Sequence, residues 1–480
     1  MKNTVKDQLI SLFETWSGVK AAEVVKLPPS GSYREYYRIS GAGKKAIGAY
    51  NADKKENESF IYFTRHFIKQ GLKVPEIYAT GKDNTIYLLQ DLGNTTLFSY
   101  LSKVRKTNEF PSELEDIYSK VLEELPKFQI LGANDIDYSY GYPRAAFDRQ
   151  SMLWDLNYFK YYFLKLAKIH FYEHDLEKDY HTFIDFLLAA DCNYFLYRDF
   201  QTRNIMLMDG EPYFIDYQGG RRGALHYDVA SLLYQAKAAI PETTRQKLVK
   251  HYISAANKLM PLSEEKFFEH YYGYVLIRML QAMGAYGFRG FYERKEHFLS
   301  SIPFVIDNIK WILENVPLPV KLPALENVLT QIVESKELKK YAPKKHKPNR
   351  LNVYVSSFSY KKELPVDDSG NGGGFLFDCR ALPNPGRFEE YKDKTGRDSE
   401  VIEFLQKEDA VFKFLNNAYA IVDQSVEKYI LRDFSNLLVG FGCTGGQHRS
   451  VYCAEMMAKH LKEKYNVKIT LHHIVQEIKE

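Results

Sequence analysis

Cysteine is scarce. Cys192, Cys379, Cys443 and Cys453 are the only four in 480 residues, and no two of them form a Cys-x-x-Cys pair. That spacing indicates neither a disulfide framework nor a zinc knuckle, and the chain reads as one kept in a reducing compartment. A bilayer-spanning apolar run is also missing: the longest, around Tyr274 to Gly287, is interrupted by Arg278. Residues Met1 to Asp7 carry charge where a signal peptide needs apolar residues. A soluble cytoplasmic protein with no membrane partner is expected. Nor is one sign of charge in excess. The 65 Lys and Arg against 61 Asp and Glu leave +4, too balanced for a chain that coats nucleic acid along its whole length. Any polyanion site is therefore local. The 45% hydrophobic and 26% charged content excludes disorder and fibrous repeats, and the length corresponds to about two to four globular domains.

Periodicity divides the chain. To about residue 90, short apolar runs alternate with turns around one helical pattern, Glu56 to Gln70, and end in Ile86-Tyr-Leu-Leu-Gln90. This predicts a small β-rich lobe with one helix. From 91 to about 325 helical spacing dominates, as in Leu153, Leu156, Phe159, Tyr162 and Phe163, until Pro317, Pro319 and Pro323 interrupt it. Residues 326–349, with the basic, proline-punctuated run Lys336 to Arg350, read as a solvated linker. Residues 350–480 then alternate strands at Leu351 to Phe358, Phe375 to Arg380 and Asn436 to Phe441 with helices, which predicts a compact α/β domain.

Two stretches carry chemistry. Tyr197-Arg-Asp-Phe-Gln-Thr-Arg-Asn204 precedes an apolar strand, an Asp209-Gly210 turn and a second strand ending at Asp216. The Asp-Gly turn closes a hairpin. Phosphoryl transfer needs a carboxylate beside the acceptor hydroxyl and oxygen ligands that hold magnesium against the nucleotide phosphates. Asp199, Asn204 and Asp216 supply both, in the Asp-x4-Asn, hairpin, Asp order of a bilobal, protein-kinase-like α+β fold. A glycine-rich loop is reduced to Ser30-Gly31-Ser32, and Lys45-Ala-Ile-Gly-Ala-Tyr50 lacks the lysine that contacts phosphates in protein kinases. Ser32, Arg34 and Arg38 are the candidates for those contacts, while Arg149 and Asp155 are candidates for an acceptor's hydroxyls. The Tyr/Phe stripe Phe159, Tyr162 and Phe163 reads as core rather than as a sugar platform.

With Ile215-Asp-Tyr-Gln218 and Tyr227-Asp-Val-Ala-Ser-Leu-Leu233, the first stretch resembles the aminoglycoside phosphotransferase and choline kinase superfamily. Gly31 to Arg38, Gln90-Asp-Leu-Gly93, Phe147-Asp-Arg149 and Gly284 to Tyr292 resemble its N-acetylmuramate/N-acetylglucosamine anomeric kinase branch. The resemblance implies an ATP- and Mg2+-dependent kinase for a small sugar. It makes Asp199 the catalytic base, Asn204 and Asp216 the magnesium ligands, and Gln90, Asp91 and Leu92 the adenine-binding backbone. Asp228 would brace the loop.

The second stretch is Gly440-Phe-Gly-Cys-Thr-Gly-Gly-Gln-His-Arg-Ser-Val-Tyr-Cys453, between a strand and a helix. Glycines let N–H groups converge and a helix N-terminus adds positive charge, so the segment forms an anion cradle. Cys443 and Arg449 also stand in the Cys-x5-Arg-Ser spacing of cysteine-dependent phosphatases, although Gly442 replaces the usual histidine and no general acid stands out. With Phe377 to Pro385 and Lys394-Thr-Gly396, the segment resembles the C-terminal domain of RapZ, the RNase adapter protein. That resemblance implies binding of a phosphosugar such as glucosamine-6-phosphate, or of RNA. Its sites would be Asp378, Arg380, Asn384, Cys443, Thr444, Gly445, Gly446, His448 and Arg449. The P-loop domain that precedes it in RapZ is replaced here by the phosphotransferase-like module. Three functions follow: a sugar kinase joined to a phosphosugar-sensing or RNA-binding domain, an RNA-binding regulator whose kinase module only senses a ligand, or cysteine-dependent phosphatase chemistry in the C-terminal domain.

Overall fold

A computed structural model describes residues 4–28, 34–105, 109–341, 351–367, 373–431 and 434–479. The chain divides into two compact units, Met1–Ala342 and Pro343–Glu480.

The first unit opens with a five-stranded antiparallel sheet. Its strands are β1 (Glu23–Lys26), β2 (Glu35–Gly41), β3 (Lys44–Tyr50), β4 (Ile77–Thr80) and β5 (Ile86–Leu89), in the order β1-β2-β3-β5-β4. Ala42 and Gly43, both at positive φ, turn β2 into β3. The helix Lys54–Lys69 is capped by Asp53, whose side chain accepts the Glu56 N–H. Phe60, Phe63 and Phe67, spaced three and four apart, put its apolar stripe into the main core beside Ala49, Tyr87 and Leu89. The lobe carries a second helix, Val5–Ser17, beyond the one read from the sequence. Its buried Leu9 and Phe13 close a separate small cluster with Ile39, Ala46 and Leu88. With two fully buried anchors the stripe is narrow, so its periodicity is weak in the sequence.

The remainder of this unit is helical, interrupted by two short β pairs. β6 (Tyr194–Leu196) pairs with β9 (Arg221–Gly223), and between them in sequence lies the hairpin β7 (Ile205–Met208) and β8 (Glu211–Phe214). Asp209 and Gly210, at φ 52° and 78°, make its two-residue turn. Aromatic residues fill the core: Tyr87, Tyr118, Tyr180, Tyr197, Tyr217, Tyr227, Tyr252, Tyr271 and Tyr274 are fully buried. Phe159 and Phe163 belong to that core, as expected of the stripe, whereas Tyr162 between them is exposed.

The boundary expected at 326 moves. Residues Pro323–Glu334 and Lys336–Lys339 are helices, and Leu325, Val328, Leu329, Ile332 and Leu338 are buried in the first unit's core. Pro323 sits in the first helical turn, where its missing N–H is no loss, and the Asp179 carboxylate accepts the Leu325 N–H at 2.9 Å. The proline read as a stop therefore starts a helix, and the basic character of 336–350 masked the apolar stripe before it. Residues 342–350 lie outside the described residues.

The second unit is a sheet in the order β11-β12-β10-β13-β14, made of β10 (Asn352–Ser359), β11 (Gly374–Asp378), β12 (Asn436–Cys443), β13 (Lys468–His473) and β14 (Ile478–Lys479). All pairs are parallel except β13 with β14. Leu437 to Cys443 are all buried, the continuous apolar run of a strand covered on both faces. Among the described residues, no helix is long and apolar enough to cross a membrane.

Candidate functional site

The β7–β8 hairpin folds the sequence so that Asp199, Asn204 and Asp216 meet. Asn204 donates its Nδ2 to the Asp199 main-chain oxygen (2.8 Å) and to Asp216 Oδ2 (3.0 Å). Gln218 Nε2 donates to Asp216 Oδ1 at 2.8 Å, and Gln201 Nε2 to Asp199 Oδ1 at 3.3 Å. Burial and the neighbouring Asp199 carboxylate push Asp216 above the usual carboxylate range, opposed by Gln218, Arg34 and Arg203. Two carboxylates in one half-buried site favour a cation between them. Among the described residues no cluster of three His, Cys, Asp or Glu side chains is found. Mg2+ needs no such cage, because it keeps several waters and takes phosphate oxygens. The Asn204 and Asp216 oxygens are the hard donors it prefers, and the raised Asp216 supplies charge it would stabilise.

The loop holding Asp199 is strained and braced. Arg198 adopts φ 81° and is held by both oxygens of Asp155, at 2.8 and 2.7 Å, and by the Tyr227 hydroxyl at 2.7 Å. Asp228, fully buried, accepts the N–H groups of Tyr197 (2.8 Å) and Arg198 (3.0 Å) and the Gln129 amide (3.1 Å). It is thus a brace, as read. Its burial pushes the carboxyl up to about 7, partly offset by those three donors.

Several expected contacts fall differently. Asp155 does not face an acceptor, because its carboxylate forms the bidentate pair with Arg198. Arg149 pairs with Asp185 at the surface, so the two expected acceptor residues are not gathered into one site. Arg38 is taken up by Asp91 (2.8 and 2.9 Å), Asn94 (2.9 Å) and the Gly93 carbonyl (3.1 Å). Register explains this: Arg38 stands opposite Ile47, which stands opposite Leu89, so its guanidinium reaches the segment leaving β5. Ser32 lies outside the described residues. Gln90 spends its N–H on the Glu76 carbonyl at 2.9 Å. The Gln90 carbonyl and the Leu92 N–H have no backbone partner among the described residues.

Arg34 is the expected phosphate contact that stays at the site. It is buried, its Nη2 lies 3.3 Å from Glu56 Oε1, and its charge acts on Asp216. Glu56 also accepts from Asn51 (2.7 Å) and from Gln218 (3.4 Å). A cation just ahead of β2 and a glutamate on the helix after β3 are thus paired beside Asp216. Glu56 and Gln218 escaped the sequence reading. The signal for Glu56 was its place at the start of the helical pattern after β3.

In the second unit, β10, β11 and β12 end at Ser359, Asp378 and Cys443, and the loop 443–449 runs from β12 into the helix Arg449–Lys464. Ligands of parallel sheets collect at these carboxyl ends. Gly446 has φ 70°, and a Cβ there would come 2.4 Å from Val475 Cγ2. Gly396 packs so closely that a Cβ would lie 2.2 Å from the His448 carbonyl oxygen. Thr444 and Gly445 are exposed, with open space around Gly445. Arg449, 6% exposed, donates Nη1 to the carbonyls of Arg380 (2.8 Å) and Leu382 (2.9 Å), while its Nε is buried without a partner among the described residues. His448 Nε2 lies 2.8 Å from the Tyr391 carbonyl, and Gly386, two residues after Asn384, packs on its ring. Asp378 and Arg380 neutralise each other at the rim (2.6 Å), and Arg380 keeps Asp378 below the usual range.

Comparisons with known proteins agree with this division. Residues 24–262 match the phosphotransferase enzyme family, and residues 351–476 match the RapZ C-terminal domain family. A nucleotide-binding protein of Fervidobacterium nodosum is 36% identical over 149 residues, 31% of this chain and 47% of that protein. One from Xylella fastidiosa is 38% identical over 116 residues, 24% of this chain and 38% of that protein. The chain thus spans less than half the length of these curated relatives. Among solved structures, choline kinase LicA from Streptococcus pneumoniae is 14% identical, with a TM-score of 0.40 over 62% of this chain and 99% of that one. A choline/ethanolamine kinase family protein from Mesorhizobium loti is 11% identical, with a TM-score of 0.45 over 69% of this chain and 100% of that one. The architecture is an α+β kinase-like N-terminal domain followed by a compact α/β RapZ-C-like domain.

Proposed function

We propose that the N-terminal domain is an ATP- and Mg2+-dependent phosphotransferase acting on a hydroxyl of an amino sugar, and that the C-terminal domain binds a phosphosugar. The observation that carries the first half is the meeting of Asp199, Asn204 and Asp216 across the hairpin. Magnesium, when bound, neutralises charge on the transferred phosphoryl group. Asp199 accepts the proton of the acceptor hydroxyl, with its carboxylate oriented by Gln201. Asn204 and Asp216 hold the cation. Arg34, steadied by Glu56, faces the phosphates, and the Gln90 carbonyl and Leu92 N–H receive adenine. Arg38 has another task, fixing the segment between the lobes through Asp91.

The choice of an amino sugar rests on the resemblance of Gly284 to Tyr292 and Phe147 to Arg149 to the anomeric kinases. Incubation with ATP, Mg2+ and a panel of N-acetylated amino sugars, with Asp199→Asn as control, tests it. New phosphate ester from one sugar and none from the variant is the expected result. No turnover on any hydroxylated acceptor would favour the RNA-binding regulator. For the second domain, the supporting observation is the buried, unpartnered Arg449 Nε beside a glycine loop at a helix N-terminus. Calorimetry of the whole protein with glucosamine-6-phosphate, against glucosamine, tests it; RNA retention that falls steeply with salt would place an RNA phosphate there instead.

A further inference from the structure

Cys443 has no chemical role in the function proposed above, yet its buried sulfur, 3% exposed, is hydrogen-bonded to the loop and helix that follow it. Its Sγ accepts the Gly446 N–H at 3.2 Å and lies 3.2 Å from the Ser450 hydroxyl. The first comes from the loop that would wrap an anion, the second from the first turn of the helix after it. Among its surroundings, Arg449 projects from the same helix start, and Cys379 from the turn after β11. At the rim Asp378 is matched by Arg380, His448 bonds the Tyr391 carbonyl, and β10 contributes the Ser359 hydroxyl, which donates to the Thr444 carbonyl at 2.7 Å. Burial pushes the Cys443 thiol up, as it does for Cys192, but here Ser450, the loop N–H groups and Arg449 more than offset it and bring the thiol below its ordinary value. Hydrogen bonding with Cys453, together with burial, pushes Cys379 the other way. The second, independent feature is Arg449 Nε, nine-tenths buried and without a partner among the described residues.

We propose that Cys443 is an activated thiolate and a modification site whose sulfur draws on the same donors as the cradle's anion, so that a bound anion shields Cys443 and a modified Cys443 excludes the anion. The shielding half rests on the loop being an anion cradle; the reactivity half does not. With a peroxide as oxidant, the sulfur attacks one peroxide oxygen and the O–O bond breaks. The departing hydroxide, carrying the other oxygen, takes a proton to become water, and the sulfur, two electrons poorer, keeps the oxygen it attacked as a sulfenic acid. With iodoacetamide, an S–C bond forms and iodide leaves. Either product fills the floor of the cradle and withdraws the sulfur's negative charge.

The test uses the full chain, iodoacetamide across pH 5 to 9 and peptide mass spectrometry of each cysteine, with and without inorganic phosphate. Cys443, its sulfur held by the Ser450 hydroxyl and the Gly446 N–H, is expected to label about ten-fold faster than Cys379 and Cys453 at neutral pH. Ser450→Ala is expected to move its profile to higher pH, and Ser450→Thr, which keeps the hydroxyl, to leave it in place. Phosphate is expected to slow labelling of Cys443 alone. Labelling of Cys443 no faster than that of Cys379 and Cys453, or a profile that Ser450→Ala leaves unmoved, overturns the activated thiolate. Fast labelling that phosphate does not slow overturns the competition, and with it the anion reading of the loop.

Discussion

Asn204 Nδ2 stands 3.0 Å from Asp216 Oδ2 while holding the Asp199 carbonyl at 2.8 Å, so one amide ties the proposed base to the proposed cation ligand. Replacing either carboxylate therefore separates two roles. Asp199→Asn is expected to lower turnover by about 10² to 10⁴, the usual worth of a positioned base, with nucleotide binding retained. Asp216→Asn is expected to abolish the Mg2+-dependent part of nucleotide-induced thermal stabilisation. Equal loss of nucleotide binding in both variants would contradict the assignment.

Arg34 and Arg38, four residues apart in sequence, serve different carboxylates, Glu56 and Asp91. Arg34→Met is expected to raise KM for ATP about ten- to a hundred-fold, the range of one hydrogen bond to a charged group, while Arg34→Lys keeps part of it. Arg38→Met should instead loosen the Asp91 clamp, read as a lower melting temperature. Steady-state kinetics beside a thermal melt distinguishes the two.

The Arg198–Asp155 pair predicts a stability loss where an acceptor role would predict a KM change. Both side chains are largely buried. Asp155→Ala, leaving the Arg198 charge uncompensated, is expected to cost about 3–5 kcal/mol in urea unfolding. An unchanged midpoint with a raised KM for the acceptor would return Asp155 to the substrate.

Asp228 gives a pH signature. Burial raises its folded value to about 7 from an ordinary 3.8. Between those values the folded state holds a proton that the unfolded state has lost, so stability falls as pH rises through that window and levels off above it. Asp228→Asn should flatten this segment of the stability curve measured from pH 4 to 8. A parallel wild-type and variant slope would refute it.

In the second unit, Gly446→Ala meets both a left-handed backbone and the Val475 side chain. A loss of about 1–2 kcal/mol from the backbone alone is expected, with weaker phosphosugar binding by calorimetry. Full affinity and stability would mean that the loop does not keep this shape.

The proposed site was legible where local geometry decides it. Asp199, Asn204 and Asp216 lie within one loop and one two-residue hairpin, and the Asp209-Gly210 turn fixes how the chain folds back. The cradle was legible for the same reason: strand, glycine loop and helix are consecutive. The helix Pro323–Glu334 was not, since its apolar stripe gains meaning only from the core it covers.

Sequence alone determined the two-part division, the local loops and the residue types able to carry phosphoryl and anion chemistry, because each depends on spacing within a few turns of chain. Only the tertiary structure decided which arginine serves which carboxylate. Arg34 with Glu56, Arg38 with Asp91 and Arg198 with Asp155 are brought together by sheet register and helix packing. A guanidinium's long side chain has no preferred partner until the fold places one within hydrogen-bonding reach and removes the water that would otherwise take its place.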